Sequence, residues 1–517
     1  MNNKHLQTML SQATVDKRLS RRQFLALSAT ALGGLALMSG CGQDSVGSPP
    51  NIDRLAAEGM RFTRTFACNG LCSPTRASLM TGLMPSQHGI HDWIQDEQLK
   101  NYPDDYCAVN EFRTLPLTLV NRGYQTAMIG KYHLGQPHKV MPSFQNWITF
   151  PYGHTLDFWN NTIIESNGND YELKNQHIVE FFAQKGADYI RNYTGEKPFY
   201  LQLNFDGPYL LPPSNLGSDP NPFYSEYYGG NYPDWPREDL NPVYDEIIAG
   251  RPDDPDDFNL HLAYQIKQMH LDPASMANTA SQNAVVDYGV KIVMDALKAA
   301  GLDENTLVIY ATDQADSYGQ HGLYGHTNMT VPSRMYDTLM NVPFIVRQPG
   351  VITPNQVSDL MIGQYDILPT LLDFAGFGNV PIANTPGRSF APYLINQQMA
   401  DWPDEIYYEQ EESRGIRTGR YAYWKRLKSD WKPSLFDIQS DPGQYNDLYG
   451  KSGYENLVAE LDDKVNAFFT RYSDPQYDLW KQGMTKSYTS RTEHMDQYYG
   501  MNWQMDNKTK PQFIDTV

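Results

Sequence analysis

Cysteine is scarce in this chain: four residues in 517. They stand at positions 41, 68, 72 and 107, and no cysteine–histidine group has the spacing of a zinc site. Positive charge is short as well. Lysine and arginine number 41 against 60 aspartates and glutamates, giving a formal net charge of −19 and a pI near 5.0. That balance opposes nucleic-acid binding, which needs a basic footprint, yet leaves room for a locally positive pocket around a small anion. Beyond residue 41 no apolar run is long enough to suggest a transmembrane span. What the chain does have is 40% hydrophobic and 13% aromatic residues, the composition of a packed globular protein. Its length accommodates two or three ordinary domains, or one large domain with an appendage.

The amino terminus reads as targeting sequence rather than fold. In "SRRQFLALSATALGGLALMSGC" the paired Arg21 and Arg22 precede an apolar run from Phe24 to Met38. That run is too short and too rich in Gly and Ala for a comfortable membrane helix. The segment resembles a twin-arginine export signal, and "LMSGC" resembles a lipobox ending at Cys41; a plain signal cut near Gly40 is the alternative. Residues 1–41 are therefore expected to direct export to the periplasm, with a lipid anchor at Cys41 as the only membrane attachment. Residues 42–50, "GQDSVGSPP", read as a linker. Cys68, Cys72 and Cys107 remain, an odd number, so at least one has no intrachain partner. Cys68 and Cys107 are expected as buried thiols rather than a disulfide. Cys72 either pairs with a neighbour or has a chemistry of its own.

After residue 50, strands alternate with helices. "NIDRLAAEGM" reads as an amphipathic helix with Leu55 and Met60 inward, stopped near Gly59, and "RFTRTFACN" as a strand-like run. The stretches "GYQTAMIGKYHLG" (123–135), "KPFYLQLNFDGPY" (197–209) and "ENTLVIYATDQADSYGQHG" (304–322) each read as a buried strand emptying into a polar turn. "AVVDYGVKIVMDALKAAGL" is a helix with Val285, Val290, Val293 and Leu297 at helical spacing. The pattern predicts an α/β fold, a largely parallel central sheet flanked by helices. Residues 214–275, dense in Pro, Asp, Tyr and Trp, read as a long insertion with little regular structure, a pocket-shaping loop or a plain surface excursion. From about 403 an alternating strand-rich segment, a turn at 441–443 and a helix from Tyr454 to Phe468 predict a smaller C-terminal α+β domain. The expected division is 51–402 and 403–517.

Ligands of parallel α/β sheets bind beyond the carboxyl ends of the strands. After one strand come Lys131 and His133, on one face if the chain stays extended. After another come Asp206 and Tyr209. After a third come Asp313 and Gln314, hard oxygen donors suited to Ca²⁺ or Mg²⁺, with His321 and His326 beyond. Each has a plain reading too: Lys131 or His133 as a surface or core residue, Asp313 as a helix cap, Asp206-Gly207-Pro208 as a turn. Cys72 stands where a helix should begin, since Pro74 suits a first turn and "TRASLMTG" continues to Gly82. A group there faces free backbone N–H groups, an anion site, and Arg76 lies one turn on. The setting suits a nucleophile handling an oxyanion better than a structural disulfide.

"CSPTRASLMTG" resembles the signature of the type I sulfatases, Cys-x-Pro-x-Arg followed by an "LTG"-like ending. "PNIDRLAAEGMRF", "GKYHLG", "ATDQADSYGQHGLYGH", "NVPFIVRQPG", "YDILPTLLDFAG" and "SLFDIQSDPGQYNDL" are similar to further segments of that alkaline-phosphatase-like family, in order, over nearly all of residues 50–450. The resemblance implies that a maturation enzyme oxidises Cys72 to formylglycine. The hydrated aldehyde then attacks the sulfur of a small-molecule or carbohydrate sulfate ester, and its second hydroxyl expels sulfate. It further implies Arg76 at the diol, Lys131 and His133 as sulfate and diol contacts, and Asp206 and Tyr209 at the substrate, Tyr209 where the family has histidine. Asp313, Gln314 and the residue-72 diol would hold Ca²⁺ or Mg²⁺, with His326 near the place of a family lysine. A phosphonate or phosphate ester hydrolase, or an impaired relative that binds sulfated ligands, are the alternatives. Family members begin with a central strand ending in Asp-Asp or Asp-Gln. Here only the nine-residue linker, with Asp44 its one acid, stands between Cys41 and Asn51, so weak metal binding and slow turnover are expected.

Overall fold

The computed structural model describes residues 51–515, except 95, 152, 154, 156, 167, 169, 218, 219, 231, 233, 234 and 250–257. The expected leader (1–41) and linker (42–50) lie outside the described residues. Helix α1, Asn51–Glu58, buries Ile52 and Leu55. Strand β1, Met60–Phe62, follows at once, so Met60 is buried as a strand residue and not on the helix. Gly59 permits the break: a Cβ there would lie 2.2 Å from the Val346 carbonyl oxygen. Helix α2 spans Cys72–Thr81. Then come β2 (Gln125–Gly130), β3 (Asn146–Thr149), β4 (Asn161–Glu165), β5 (Tyr171–Leu173), helix α3 (Ile178–Arg191) and β6 (Phe199–Asn204). Helix α4 (Pro273–Ala299) leads to β7 (Val308–Ala311), β8 (Phe344–Arg347) and β9 (Gln356–Ser358).

These strands form two sheets, ordered β5-β4-β3-β2-β6 and β9-β1-β8-β7. β2 runs parallel to β3 and β6, and β1 parallel to β9, while the β3–β4, β4–β5, β1–β8 and β8–β7 pairs are antiparallel. The fold is mixed α/β, with parallel pairing concentrated on β2. That strand is buried from Thr126 to Gly130, as a strand covered on both faces should be. On one face, Phe182 and Ile190 of α3 and Val285 and Val290 of α4 join a core with Ile129 and Ile148. On the other, Ala77 and Met80 of α2 join Met128 and Trp147. α2 is thereby held at the carboxyl end of β2, which fixes Cys72 beside Lys131.

β6 and β7 are edge strands of their respective sheets, and every residue of both lines one cavity of about 860 Å³. β6 is only half-buried along its length, unlike β2 beside it. No described strand pairs with either edge on the cavity side.

Residues 214–275 carry more helix than their composition suggests, at Val243–Ile248 and Phe258–Met269, before α4 begins at Pro273. Tyr232 and Trp235 pack into a small core with Tyr318 and Met276 rather than presenting open rings. After them, β10 (Glu405–Gln410), β11 (Ser413–Thr418), β12 (Tyr421–Arg426) and β13 (Ser434–Asp437) make an antiparallel meander. Helix α5 (Glu455–Tyr472) covers it through Leu461, Val465 and Phe469. The tail then returns to the larger half. Lys486 Nζ donates to Ala108 O and Glu111 Oε1, both at 2.9 Å, and Asp515 pairs with Arg113 at 2.7 Å. No described helix is long and apolar enough to cross a membrane.

Candidate active site

Cys72 opens α2. Leu71 ahead of it is extended (φ −138°, ψ 155°) and gives no side-chain cap, so the first-turn N–H groups are left for whatever stands at residue 72. The Thr75 hydroxyl bonds back to the Leu71 carbonyl. Gly82 closes the helix in the left-handed region at φ 68°, donating to Ser78 O at 2.8 Å. Cys72 is buried, and Lys131 Nζ lies 3.5 Å from its Sγ.

Lys131 follows Gly130, whose φ of 104° and closeness to Asn204 O turn the chain out of β2. Its ammonium contacts the Tyr209 hydroxyl and lies 3.6 Å from Asp206 Oδ1. Asp206 in turn accepts from Thr155 N at 2.8 Å, and Gln282 Oε1 accepts from Tyr209 N at 2.7 Å. Arg76 Nη1 donates to Lys131 O at 2.9 Å, and its Nη2 pairs with Asp313 Oδ2 at 2.8 Å. The Gln364 amide holds the Thr312 and Asp313 carbonyls at 3.0 and 2.9 Å. Cys72, Arg76, Lys131, Asp206, Tyr209 and Asp313 are thus one continuous cluster, drawn from α2 and the ends of β2, β6 and β7.

Gln314 and His326 adjoin it. Gln314 Nε2 lies 2.7 Å from His326 Nε2, and His326 Nδ1 is in contact with Asp316. Two histidines near these strand ends are held by other partners. The chain does not stay extended after Lys131: His133 sits at φ 57°, with Nε2 2.9 Å from Ile94 O and its ring edge-on to Trp93. His321 stacks between Tyr336 and Tyr445 at 3.9 and 4.4 Å, packing against the C-terminal part.

The charges divide the work. Burial pushes the Cys72 thiol up, further than Lys131 and Arg76 pull it down, so as a cysteine it is a protonated, weak nucleophile. Burial also acts to raise Asp313, but Arg76 and Lys131 outweigh it and hold the carboxylate below its usual range. Burial, reinforced by Asp206, keeps the Tyr209 hydroxyl protonated well above its ordinary value. For His326 burial opposes charge, and Asp316 outweighs it, raising the imidazole.

A family model described as sulfatase matches residues 34–377, and one described as N-sulphoglucosamine sulphohydrolase, C-terminal, matches residues 319–470. The chain belongs to the sulfatase family. Its reaction is the hydrolysis of sulfate esters. The chain is 25% identical over 492 residues to N-acetylglucosamine-6-O-sulfatase of Bacteroides thetaiotaomicron, covering 82% of each protein. It is 29% identical over 419 residues to N-sulphoglucosamine sulphohydrolase of Homo sapiens, covering 78% of this chain and 73% of that one. A solved structure described as a complex with its substrate, D-glucosamine-2-N,6-O-disulfate, is similar in fold, with a TM-score of 0.61 at 22% identity over 83% of this chain and 94% of that one.

The family's divalent cation can be weighed against the sulfatase's own donors. Among the described residues no group of three or more His, Cys, Asp or Glu side chains could hold a metal ion. Gln314 Oε1 is buried with no hydrogen-bond partner, a donor in waiting. Asp313, however, is already paired with Arg76. Two oxygens fall short of the six to eight that Ca²⁺ takes. The described residues therefore do not complete a cation site. Asp316, Gln282 and Gln364 escaped the sequence reading. Asp316 had a signal, an acid two places after Gln314 in the same turn; the two glutamines act through backbone groups and had none.

Proposed function

We propose that Cys72 is converted to formylglycine by a maturation enzyme and that this chain hydrolyses a carbohydrate sulfate ester at residue 72. The observation that carries the proposal is the placement of Cys72 at the uncapped start of α2 with the Lys131 ammonium 3.5 Å from Sγ. A formylglycine there supplies a hydrated aldehyde as the nucleophile.

The chain's own residues do the rest. Lys131 and Arg76 present positive charge to the sulfate oxygens in a site largely closed to water, where such interactions are strongest. Asp206 and Asp313 fix those two cations by ion pairs at 3.6 and 2.8 Å. Tyr209, neutral and touching Lys131, offers an O–H to a substrate oxygen. The carbohydrate class is supported by the names of the similar proteins. No step is routed through a metal, because the described donors do not complete its shell.

Peptide mass spectrometry across residues 64–76 tests the conversion. Protein made with a formylglycine-generating enzyme should carry oxygen in place of sulfur at residue 72. Only unmodified cysteine in the native host would defeat the proposal.

A further inference from the structure

Both family matches end by residue 470, yet the chain beyond is tied firmly to the larger half of the molecule. Within this tail Thr485, Lys486, Ser487, Thr489, Arg491 and Thr492 are all buried, although every one is polar. Buried polar side chains at this density need partners, and several of these partners belong to two loops beside residue 72.

The first loop is 91–94. Ser487 Oγ accepts from His91 N and Asp92 N at 3.1 and 2.9 Å. Thr489 Oγ1 donates to Asp92 Oδ2 at 3.1 Å. Two residues on, Ile94 N donates at 3.0 Å to the hydroxyl of Ser73, the neighbour of residue 72, and the Ile94 carbonyl holds His133. The second loop is 326–333, which begins with His326 beside Gln314. Its Thr327 packs on Gly70, where a Cβ would lie 2.2 Å from Thr327 Cγ2.

Arg491 serves this second loop. It lies in the first turn of helix α6, Ser490–Tyr499, and its side chain is 0% exposed. Nε donates to Asn328 O and Nη2 to Thr330 O, both at 3.3 Å, and Nη2 also to Ser333 Oγ at 2.8 Å. Nη1 meets Glu411 Oε2, and Glu412 Oε2 lies 3.6 Å from Nη2. Glu411 stands at φ 26°, a conformation that persists only where its surroundings hold it. Gln410 beside it ties the loops together: Oε1 accepts from Thr327 Oγ1 at 3.0 Å, and Nε2 donates to His91 O at 3.3 Å. The planar fork of arginine suits this spread of acceptors; the point charge of a lysine does not.

We propose that the tail is a clamp on loops 91–94 and 326–333, with Arg491 its positioning residue, and that the clamped loops form the rim that meets the sugar of the substrate. Trp93 and His326 are half-buried on these loops, open to a bound molecule. The sulfate is left to Lys131 and Arg76, whose described partners lie outside the tail. What the rim meets rests on the reading of residue 72 as the reacting group; the clamp itself does not.

Two variants test it. Arg491→Met/Glu411→Gln removes both charges of a buried pair and so strands neither, and Ser487→Ala removes the acceptor that holds the first loop. Rates are taken per converted residue 72. In both variants kcat/KM for a sulfated monosaccharide should fall at least about tenfold further than for para-nitrophenyl sulfate, which brings the rim one flat ring in place of a sugar. A purely structural role would lower the two equally. Amide hydrogen exchange reads the clamp without turnover: the amides of the loop each variant loosens, 91–94 for Ser487→Ala and 327–331 for the double variant, should exchange at least about tenfold faster, with β2 and β6 unchanged. If the double variant fails to fold, Ser487→Ala decides. Equal losses on the two esters, or unchanged exchange in the loops, overturn the proposal. A parent protein that releases no sulfate from either ester defeats the reaction at residue 72 instead, and hydrogen exchange alone then decides the clamp.

Discussion

Replacing Lys131 by Met removes the ammonium that lies 3.5 Å from Cys72 Sγ and 3.6 Å from Asp206 Oδ1, while keeping an unbranched stem of similar length. Lys131 is 2% and Asp206 0% exposed, so solvent does not replace the lost charge. Breaking a buried pair by deleting one partner costs about 3–5 kcal/mol. Asp206 keeps the Thr155 N–H at 2.8 Å, which places the expected loss at the lower end, about 3 kcal/mol. Lys131→Met/Asp206→Asn removes both charges and should return to within about 1 kcal/mol of the parent. Turnover behaves differently. The ammonium faces the developing negative charge, and loss of one such donor costs about 10²–10³ in kcat, which Asp206→Asn does not restore. Urea denaturation followed by tryptophan fluorescence, with sulfate release measured on the same samples, separates the two. An equally unstable double variant, or one that regains turnover, refutes the reasoning.

Other outcomes follow from the same geometry. Arg76→Ala should abolish sulfate release in a steady-state assay, since it removes a cation from residue 72 and the partner of Asp313; retention of half the parent rate would contradict its role. Gly130→Ala should yield little folded protein by circular dichroism, because φ is 104° and the new Cβ would lie 1.9 Å from Asn204 O. Phe182→Ala, which empties a fully buried site under the β2 sheet, should lower the unfolding free energy by about 3–5 kcal/mol in the same titration. Burial pushes His91 down to about 3 from an ordinary value of 6.5. Between those values the unfolded chain binds the extra proton, so the stability this residue contributes is complete above pH 6.5 and lost as pH falls toward 3, at up to about 1.4 kcal/mol per unit. His91→Gln should flatten that part of the stability–pH curve, and an unchanged slope would show that other groups set it.

Much of the site was legible because its residues fall at strand ends, where polarity breaks sharply against an apolar run. Lys131 after "AMIG" and Asp313 after "LVIYAT" are of this kind, and the structure brings both to Cys72 through Arg76 and the helix start. Where legibility failed, the periodic signal was missing. Helix α4 begins at Pro273, but its first turns bury Ser275, Asn278, Ser281 and Gln282 beside Met276 and Ala280, so polar side chains interrupt the apolar stripe. The sign that was present is local: Asp272 accepts from Ser275 N at 2.7 Å as a helix cap, with proline in the first turn. Met60 was misplaced because one Gly both ends α1 and opens β1. His133 kept its neighbourhood but not its direction, since a left-handed turn is not written in "KYHLG". The mixed strand directions were likewise invisible, because a strand buried on both faces has the same pattern in either orientation.

The central claim is that residue 72, once converted, is the nucleophile of a sulfatase. The direct test is the initial rate of sulfate release from a sulfated monosaccharide, measured on preparations with different converted fractions of Cys72 and on Cys72→Ala. The account predicts a rate proportional to the converted fraction and none from Cys72→Ala. Release at the parent rate from Cys72→Ala or from unconverted protein would contradict it.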